Sequence, residues 1–427
     1  MGRASTIALS ETTYTMKTGL SFLIAARRCE ISELEQLTRT SSLVSVIGRL
    51  VHGLQRERGI SNVFLGSRGK RFAGQLQQQV IECALLQREL HASFDALDTE
   101  AGHLNNGARL FSRIAFVLHE LDALPGLRRQ VAAMALTPVQ ATTAFVKLVA
   151  GLLAVVFEAA DASTNPEISR LLVAMFNFMQ GKEFTGQERA FGSASFVSGR
   201  IDAAQQHQWQ HLIQQQERCV QVFSDFASPA LLARWKDCQD AATLAEVERL
   251  RRIACTLAAG ILDPNLSQAW FDCCSRRIDA MKAVEDQMAD ELLALCHSKI
   301  TQARAELHDH QLILEAVSGQ DGVAPPPPIS AQTAAQSATP YGPQMERSIL
   351  DLVHEQASRL QSMSDELDTV RASLNERKLI ERAKGLLMAH RKLSEEDAYK
   401  MLRQTAMNQN KRITDVAEAV LAMSDYL

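Results

Sequence analysis

Arg377-Lys-Leu-Ile-Glu-Arg-Ala-Lys-Gly-Leu-Leu-Met-Ala-His-Arg391 is the stretch that decides the C-terminal fold. At about 100° per residue, the turn of an α-helix, Arg377, Lys384 and Arg391 fall within about 40° of one another. Lys378 and Arg382 extend the basic arc to about 140°, while Leu379, Ile380, Ala383, Leu386 and Leu387 fill the opposite side. This is an amphipathic helix with an outer basic face. From Arg371 to Arg412 there are eleven Lys/Arg against five Asp/Glu. That local +6 sits in a chain of net charge −4, so the remainder carries −10. Most charge runs are merely solvated faces, but an asymmetry of this size also fits a grip on a polyanion.

The residues downstream favour the grip. Ser394 with Asp397 three residues later reads as a helix start. Ala398, Leu402 and Ala406 follow at fourfold spacing, and Thr414 caps a third helix with Asp415 in its first turn and Val416, Val420 and Leu421 facing inward. The string Arg377, Ile380, Ala383-Lys384-Gly385, Leu387-Met388, Leu393-Ser394, Ala398, Leu402-Arg403, Ala406-Met407 and Asp415-Val416-Ala417 resembles the ANTAR family, a three-helix RNA-binding module of bacterial antiterminators. The resemblance implies RNA contacts at Arg377, Lys384, Gly385, Arg391 and Arg403, with Lys378 and Arg382 as lesser candidates. Tyr399 is the side chain available for stacking on a base.

Composition points to an all-α protein. Of 427 residues 46% are hydrophobic, only 5% are aromatic, and Gly and Pro are few. Eight cysteines form no C-x-x-C pair, which fits reduced thiols in the cytoplasm, and no cofactor or metal is expected. The apolar runs at Leu20–Ala26 and between Lys147 and Glu158 are too short to span a bilayer, so no membrane partner is expected.

The chain divides into a leader (1–35, free or a first short helix), a large helical-bundle sensor (36–317), a Pro/Ala/Gln linker (318–344, with Pro325–Pro328) and a C-terminal part (345–427). Within the sensor, three- and four-residue spacings predict helices near 36–64, 76–99, 108–123, 139–161, 166–197, 200–225, 241–260 and 266–315. After the linker, Leu350, Val353, Ala357, Leu360, Met363, Leu367, Val370 and Leu374 step by threes and fours, the spacing of a coiled coil. That seam predicts a dimer-forming stalk, or one that packs back on the sensor in one state.

Two sensor segments place charge where apolar residues are due. Leu43–Gly66 carries Gln55-Arg-Glu-Arg-Gly59, with Glu57 inside the apolar arc and Arg49, Arg56 and Arg58 on its edges. A carboxylate there needs a partner, because burying a lone charge is costly. Met175–Phe196 carries Lys182, Glu183 and Gly186-Gln-Glu-Arg-Ala190, which echoes the first and predicts that the two face each other. Mutual Glu–Arg pairing is the plain outcome. Five cations (Arg49, Arg56, Arg58, Lys182, Arg189) against three carboxylates (Glu57, Glu183, Glu188) leave an excess that invites an anion. Guanidinium forks match flat oxyanions well.

The element Leu54-Gln-Arg-Glu-Arg-Gly59 with Ser61, and Gly186-Gln-Glu-Arg-Ala190, resemble the NIT family of nitrate- and nitrite-sensing helical domains. The resemblance implies a nitrate or nitrite effector held by Arg49, Arg56, Arg58 and Arg189. Arg49 ranks first because no carboxylate lies one turn away on its own helix. It further implies a homodimer, at least when active, that binds nascent leader RNA and blocks termination upstream of nitrate-assimilation genes. Four heavy atoms at about 1.5 kcal/mol each cap nitrate binding near 6 kcal/mol, or tens of micromolar. The rival readings are a ligand-responsive DNA-binding helix-turn-helix protein and a protein-interaction module. An enzyme is not expected, since the chain has no phosphate-cradling glycine loop or nucleophile elbow.

Overall fold

The computed structural model describes residues 19–97, 107–256, 260–318, 343–391, 393, 395–409 and 411–423. These residues form twelve α-helices and no strand beyond one isolated bridge, Arg200 to Ile261. The helices are α1 Gly19–Gly66, α2 Ala73–Asp95, α3 Gly107–Ala132, α4 Pro138–Ala162, α5 Pro166–Ser198, α6 Ala203–Phe226, α7 Pro229–Asp237, α8 Ala241–Thr256, α9 Leu266–Ser318, α10 Pro343–Arg391, α11 Glu395–Gln409 and α12 Ile413–Met423. Most of the expected linker lies outside the described residues, as does Ser394.

Local chemistry sets many boundaries. Thr137 and Asp202 each accept a backbone N–H three residues on, while Gln140 and Gln205 reach back to close capping boxes. Proline occupies the first position of α4, α5 and α7, where its missing N–H costs nothing. Pro125 falls inside α3, which therefore loses one ladder hydrogen bond there.

Three expectations are corrected. The segment 19–35 is neither a free leader nor a separate short helix. It is the first part of the 48-residue α1, because no proline interrupts the chain before Pro125. The third C-terminal helix starts at Ile413 rather than at a Thr414 cap. The Asp415 carboxylate accepts the Arg412 backbone N–H at 3.1 Å, which makes Arg412 the capped position. And α4 is long and apolar enough, by length and composition alone, to cross a membrane. Phe145, Leu148, Val149, Leu152, Leu153, Val155 and Val156 are all buried against this chain, the pattern of a core helix.

The chain folds as two compact units. One comprises Met1–Glu35 and His297–Ser362, drawn from α1, α9 and α10. Arg27 there bridges Glu30 (2.5 Å) and Glu306 (2.6 Å), and Arg359 reaches the same two carboxylates at 3.2 and 2.9 Å. The other unit comprises Gln36–Cys296 and Met363–Leu427. In its core Phe196, Ile201, Trp209, Val247, Leu250 and Trp270 interlock, with the Trp209 and Trp270 rings 5.0 Å apart. The C-terminal half of the expected coil seam, Leu367, Val370 and Leu374, is buried within this unit, whereas Leu360 is exposed. That half of the stripe is filled by the chain itself. The C-terminal three-helix core contains Ala383, Leu387, Ala398, Leu402, Ala406, Val416 and Ala417, as the periodicity predicts.

Candidate effector site and nucleic-acid interface

The two charged motifs face each other across α1 and α5, and each glycine makes room for the other's arginine. A Cβ on Gly59 would lie 2.6 Å from Arg189 Nη2, and one on Gly186 would lie 2.5 Å from Arg58 Nη2. The carboxylates are all satisfied. Arg58 donates to Glu183 at 2.5 and 3.2 Å, and Gln55 and Gln187 add bonds of 2.9 Å each. Glu57 is clamped by Arg128 of α3 at 2.8 and 2.7 Å. Glu188 takes both ends of Arg251 of α8 (2.7 and 2.6 Å), Trp209 Nε1 (2.8 Å) and Gln216 (2.7 Å). Burial pushes Glu188 up, but the charge and hydrogen bonds of Arg251, aided by Gln216, hold it below the usual carboxylate range.

Because Arg128 and Arg251 supply two of those partners, cations are left over on α1 and α5. Arg189 is 3% exposed and its hydrogen-bond acceptors are neutral. It donates to the Gln55 carbonyl (2.9 Å) and Ser275 Oγ (3.0 Å), and its guanidinium lies 5.0 Å over the Phe271 ring. Its Nε is buried with no partner among the described residues. Burial, with the Arg58 charge behind it, pulls the group down to about 10, so it stays cationic at neutral pH. Arg56 is exposed and forms no ion pair among the described residues. It acts electrostatically on His52 and Asp279. Arg58 is spent on Glu183. Arg49 is paired with Glu89 of α2 on the surface, a partner forty residues away that inspection of its own helix misses.

These groups line a seam where α1, α5 and α9 meet. Gly48, His52 and Gly59 on α1 lie against Glu285, Asp279 and Arg189 respectively. Lys182 is fully buried and pairs with Glu285, while Lys282 pairs with Asp286 and lies 3.3 Å from Glu285 Oε1. Four cations (Arg56, Lys182, Arg189, Lys282) face three carboxylates (Asp279, Glu285, Asp286), so the seam is short of one negative charge. His52, Ser275 and Asp279 were not singled out in the sequence as ligand candidates. They sit in unremarkable helical patterns and acquire meaning only once α9 is placed.

The C-terminal basic helix is not free on all sides. Arg377 donates to Asn177 Oδ1 at 3.3 Å, with its guanidinium 4.7 Å over Phe176, both on α5. Lys378 pairs with Asp161 at 2.5 Å and lies 5.8 Å over Phe157. Arg371 donates to the Ser163 carbonyl at 3.3 Å. Arg403 reaches Gln214 of α6 at 3.0 Å, and the Tyr399 ring lies 5.7 Å from His211 and 5.1 Å from the Arg218 guanidinium. Lys384, expected on an open face, is 6% exposed and paired with Glu381 at 2.8 Å. Arg377, on the same line two turns away, is held against α5, so that part of the line faces protein. Gly385 and Arg391 are exposed, and a Cβ on Gly385 would meet open space.

Residues 49–293 match the family described as "Nitrate and nitrite sensing" (NIT), and residues 368–421 match the ANTAR domain. A "Nitrate regulatory protein" of Klebsiella oxytoca is 32% identical over 399 residues, covering 93% of each chain. The "Transcriptional regulatory protein PdtaR" of Mycobacterium tuberculosis (strain H37Rv) is 35% identical over 72 residues, 17% of this chain and 35% of that protein. Among solved structures, one described as "Structure of the NasR transcription antiterminator" aligns with a TM-score of 0.60 and 29% identity, covering 96% of this chain and 99% of that one. The chain belongs to the nitrate- and nitrite-sensing NIT family and carries an ANTAR domain at its C-terminal end.

Proposed function

We propose that this protein is a cytoplasmic one-component transcription antiterminator, not an enzyme, in which nitrate or nitrite binds between Arg56 and Arg189 and sets the ANTAR domain free to bind leader RNA. The single observation that carries the effector reading is Arg189: a guanidinium buried in the core with an unpartnered Nε and hydrogen bonds only to neutral acceptors. A native core keeps such a group only where something compensates it, and a flat monoanion meets the need. Two or three charge-assisted hydrogen bonds at about 1.5–3 kcal/mol each supply the roughly 6 kcal/mol open to four heavy atoms.

In this reading the closed arrangement is the unliganded one. The dock offers Arg371, Arg377, Lys378 and Arg403 groups that can stand in for RNA: aromatic faces in Phe176 and Phe157, a carboxylate in Asp161, and amide and carbonyl oxygens in Asn177, Gln214 and Ser163. Tyr399, the expected base-stacking ring, is covered by His211 and Arg218. Ligand shifts the balance by its differential affinity for the open form, a few kcal/mol at most. Two released copies then bind paired hairpins of nascent leader RNA, and termination upstream of nitrate-assimilation genes is prevented.

Calorimetry of the full chain with nitrate, nitrite and chloride tests the effector step. Nitrate or nitrite is expected to bind at about tens of micromolar. Arg189→Ala and Arg56→Ala are expected to abolish binding. Equal heats for chloride and nitrate, or an Arg189→Ala variant that binds normally, would overturn the site. A gel shift with leader RNA and duplex DNA competitors, with and without nitrate, tests the output. Shifts of duplex DNA alone would point to the operator-binding rival, and no shift with either to a protein partner.

A further inference from the structure

We infer that His52 completes the effector site as an uncharged ligand contact, donating one hydrogen bond through Nδ1 to the oxyanion held by Arg56 and Arg189. This inference rests on the effector reading above and names a third contact for it. His52 stands one turn before Arg56 on α1 and faces α9, with Nε2 3.8 Å from Asp279, beyond hydrogen-bond reach. Its Nδ1 is buried without a partner among the described residues. Arg189 Nε, in the same seam, is unpartnered too. Two buried nitrogens without partners among the described residues, on facing helices, leave bonding capacity that a polar guest in the seam would fill.

The charges around the ring decide its form. Arg56 faces it from α1, Lys182 and Arg189 from α5, and Lys282 from α9, while Asp279 and Glu285 are the carboxylates on that side. Burial, then Lys182, Lys282, Arg56 and Arg189, push the imidazole down to about 2, so it is neutral throughout the physiological range. A neutral donor adds direction without adding charge. The seam lacks one negative charge rather than two, and its donors come from three separate side chains. A flat monoanion with several oxygens satisfies both conditions. Chloride, a single sphere, reaches fewer donors at once, and a dianion overfills the charge.

The test is calorimetric titration of the full chain with nitrate, nitrite, chloride and sulfate, together with thermal melts, for the wild type, His52→Ala and His52→Gln. His52→Ala is expected to weaken nitrate binding by about tenfold, the worth of one hydrogen bond to a charged group. It is expected to leave the weaker chloride heat unchanged. His52→Gln, which keeps a side-chain N–H, should restore nitrate affinity to within about threefold of wild type. Wild-type nitrate affinity should stay nearly constant between pH 6 and 8. Equal losses in Ala and Gln would mark a packing role and overturn the inference. So would a wild-type affinity that climbs steeply on acidification and loses the climb in His52→Gln, because the contact would then be a charged one. If the wild type binds neither nitrate nor nitrite, the effector reading fails first and His52 goes with it. If it binds and His52→Ala binds equally well, only the His52 contact fails.

Discussion

Arg58 and Glu183 are both almost fully buried, and together they show what one charge is worth inside this bundle. Removing one partner leaves the other desolvated, so Glu183→Gln is expected to cost about 3–5 kcal/mol, seen as a lower urea midpoint at unchanged slope. His52 gives a second, pH-dependent outcome. Its folded value, about 2, lies below the ordinary 6.5. The unfolded chain therefore takes up a proton that the native one refuses. That stabilisation is full above pH 6.5 and declines as pH falls from 6.5 towards 2. Between pH 6.5 and 5 the loss is about 2 kcal/mol, and His52→Gln should flatten the profile. At this scale the sequence was partly legible. The echo of Gln, Glu, Arg and Gly in two segments foretold that α1 and α5 face each other. The burial of Glu57 in an apolar arc foretold that it needs a partner. The partner itself, Arg128, was not legible, because it sits on another helix in no motif of its own. The surface partner of Arg49, Glu89, was not legible for the same reason: it comes from α2.

Helix α1 owes its close approach to α5 to Gly59, and α5 owes its approach to α1 to Gly186. Gly59→Ala would drive a methyl to 2.6 Å from the Arg189 guanidinium, so Arg189 must shift or the helices must part. The expected cost is about 1–3 kcal/mol, with nitrate affinity lost while the helical circular dichroism is retained. Gly385→Ala meets open space and is the natural control, expected to be neutral or slightly stabilising in the melt. Helix existence was legible wherever apolar residues recur at threes and fours, and Pro138, Pro166 and Pro229 mark their starts. The nine-residue α7 escaped notice because it is two turns long, too short for periodicity to register. The length of α1 escaped because a helix that simply continues carries no signal of its own.

As a whole, the molecule packs the start of its basic C-terminal helix against α4 and α5, and Asp161 is the carboxylate at that contact. This carboxylate lies in the last turn of α4, where the helix carbonyls already carry negative charge, and it is 5% exposed. Lys378 at 2.5 Å and Arg109 at 3.6 Å neutralise it. Asp161→Arg replaces attraction by repulsion and is expected to free the ANTAR domain. Leader RNA should then be bound without nitrate at about tenfold or higher affinity than by the unliganded wild type, measured by filter binding. The two domains were legible as families from short motifs, because those motifs are the parts whose chemistry cannot be spelled otherwise. The dock was not legible, because its acceptors are ordinary residues of α4, α5 and α6. One consequence follows from the paired indoles. Trp270 Nε1 donates to the Arg189 carbonyl at 3.1 Å, and Trp209 lies against it and against Glu188. Any tug on Arg189 is felt by a chromophore one bond away. The protein thus carries a built-in optical gauge, and its ultraviolet emission should change with effector occupancy without any added dye.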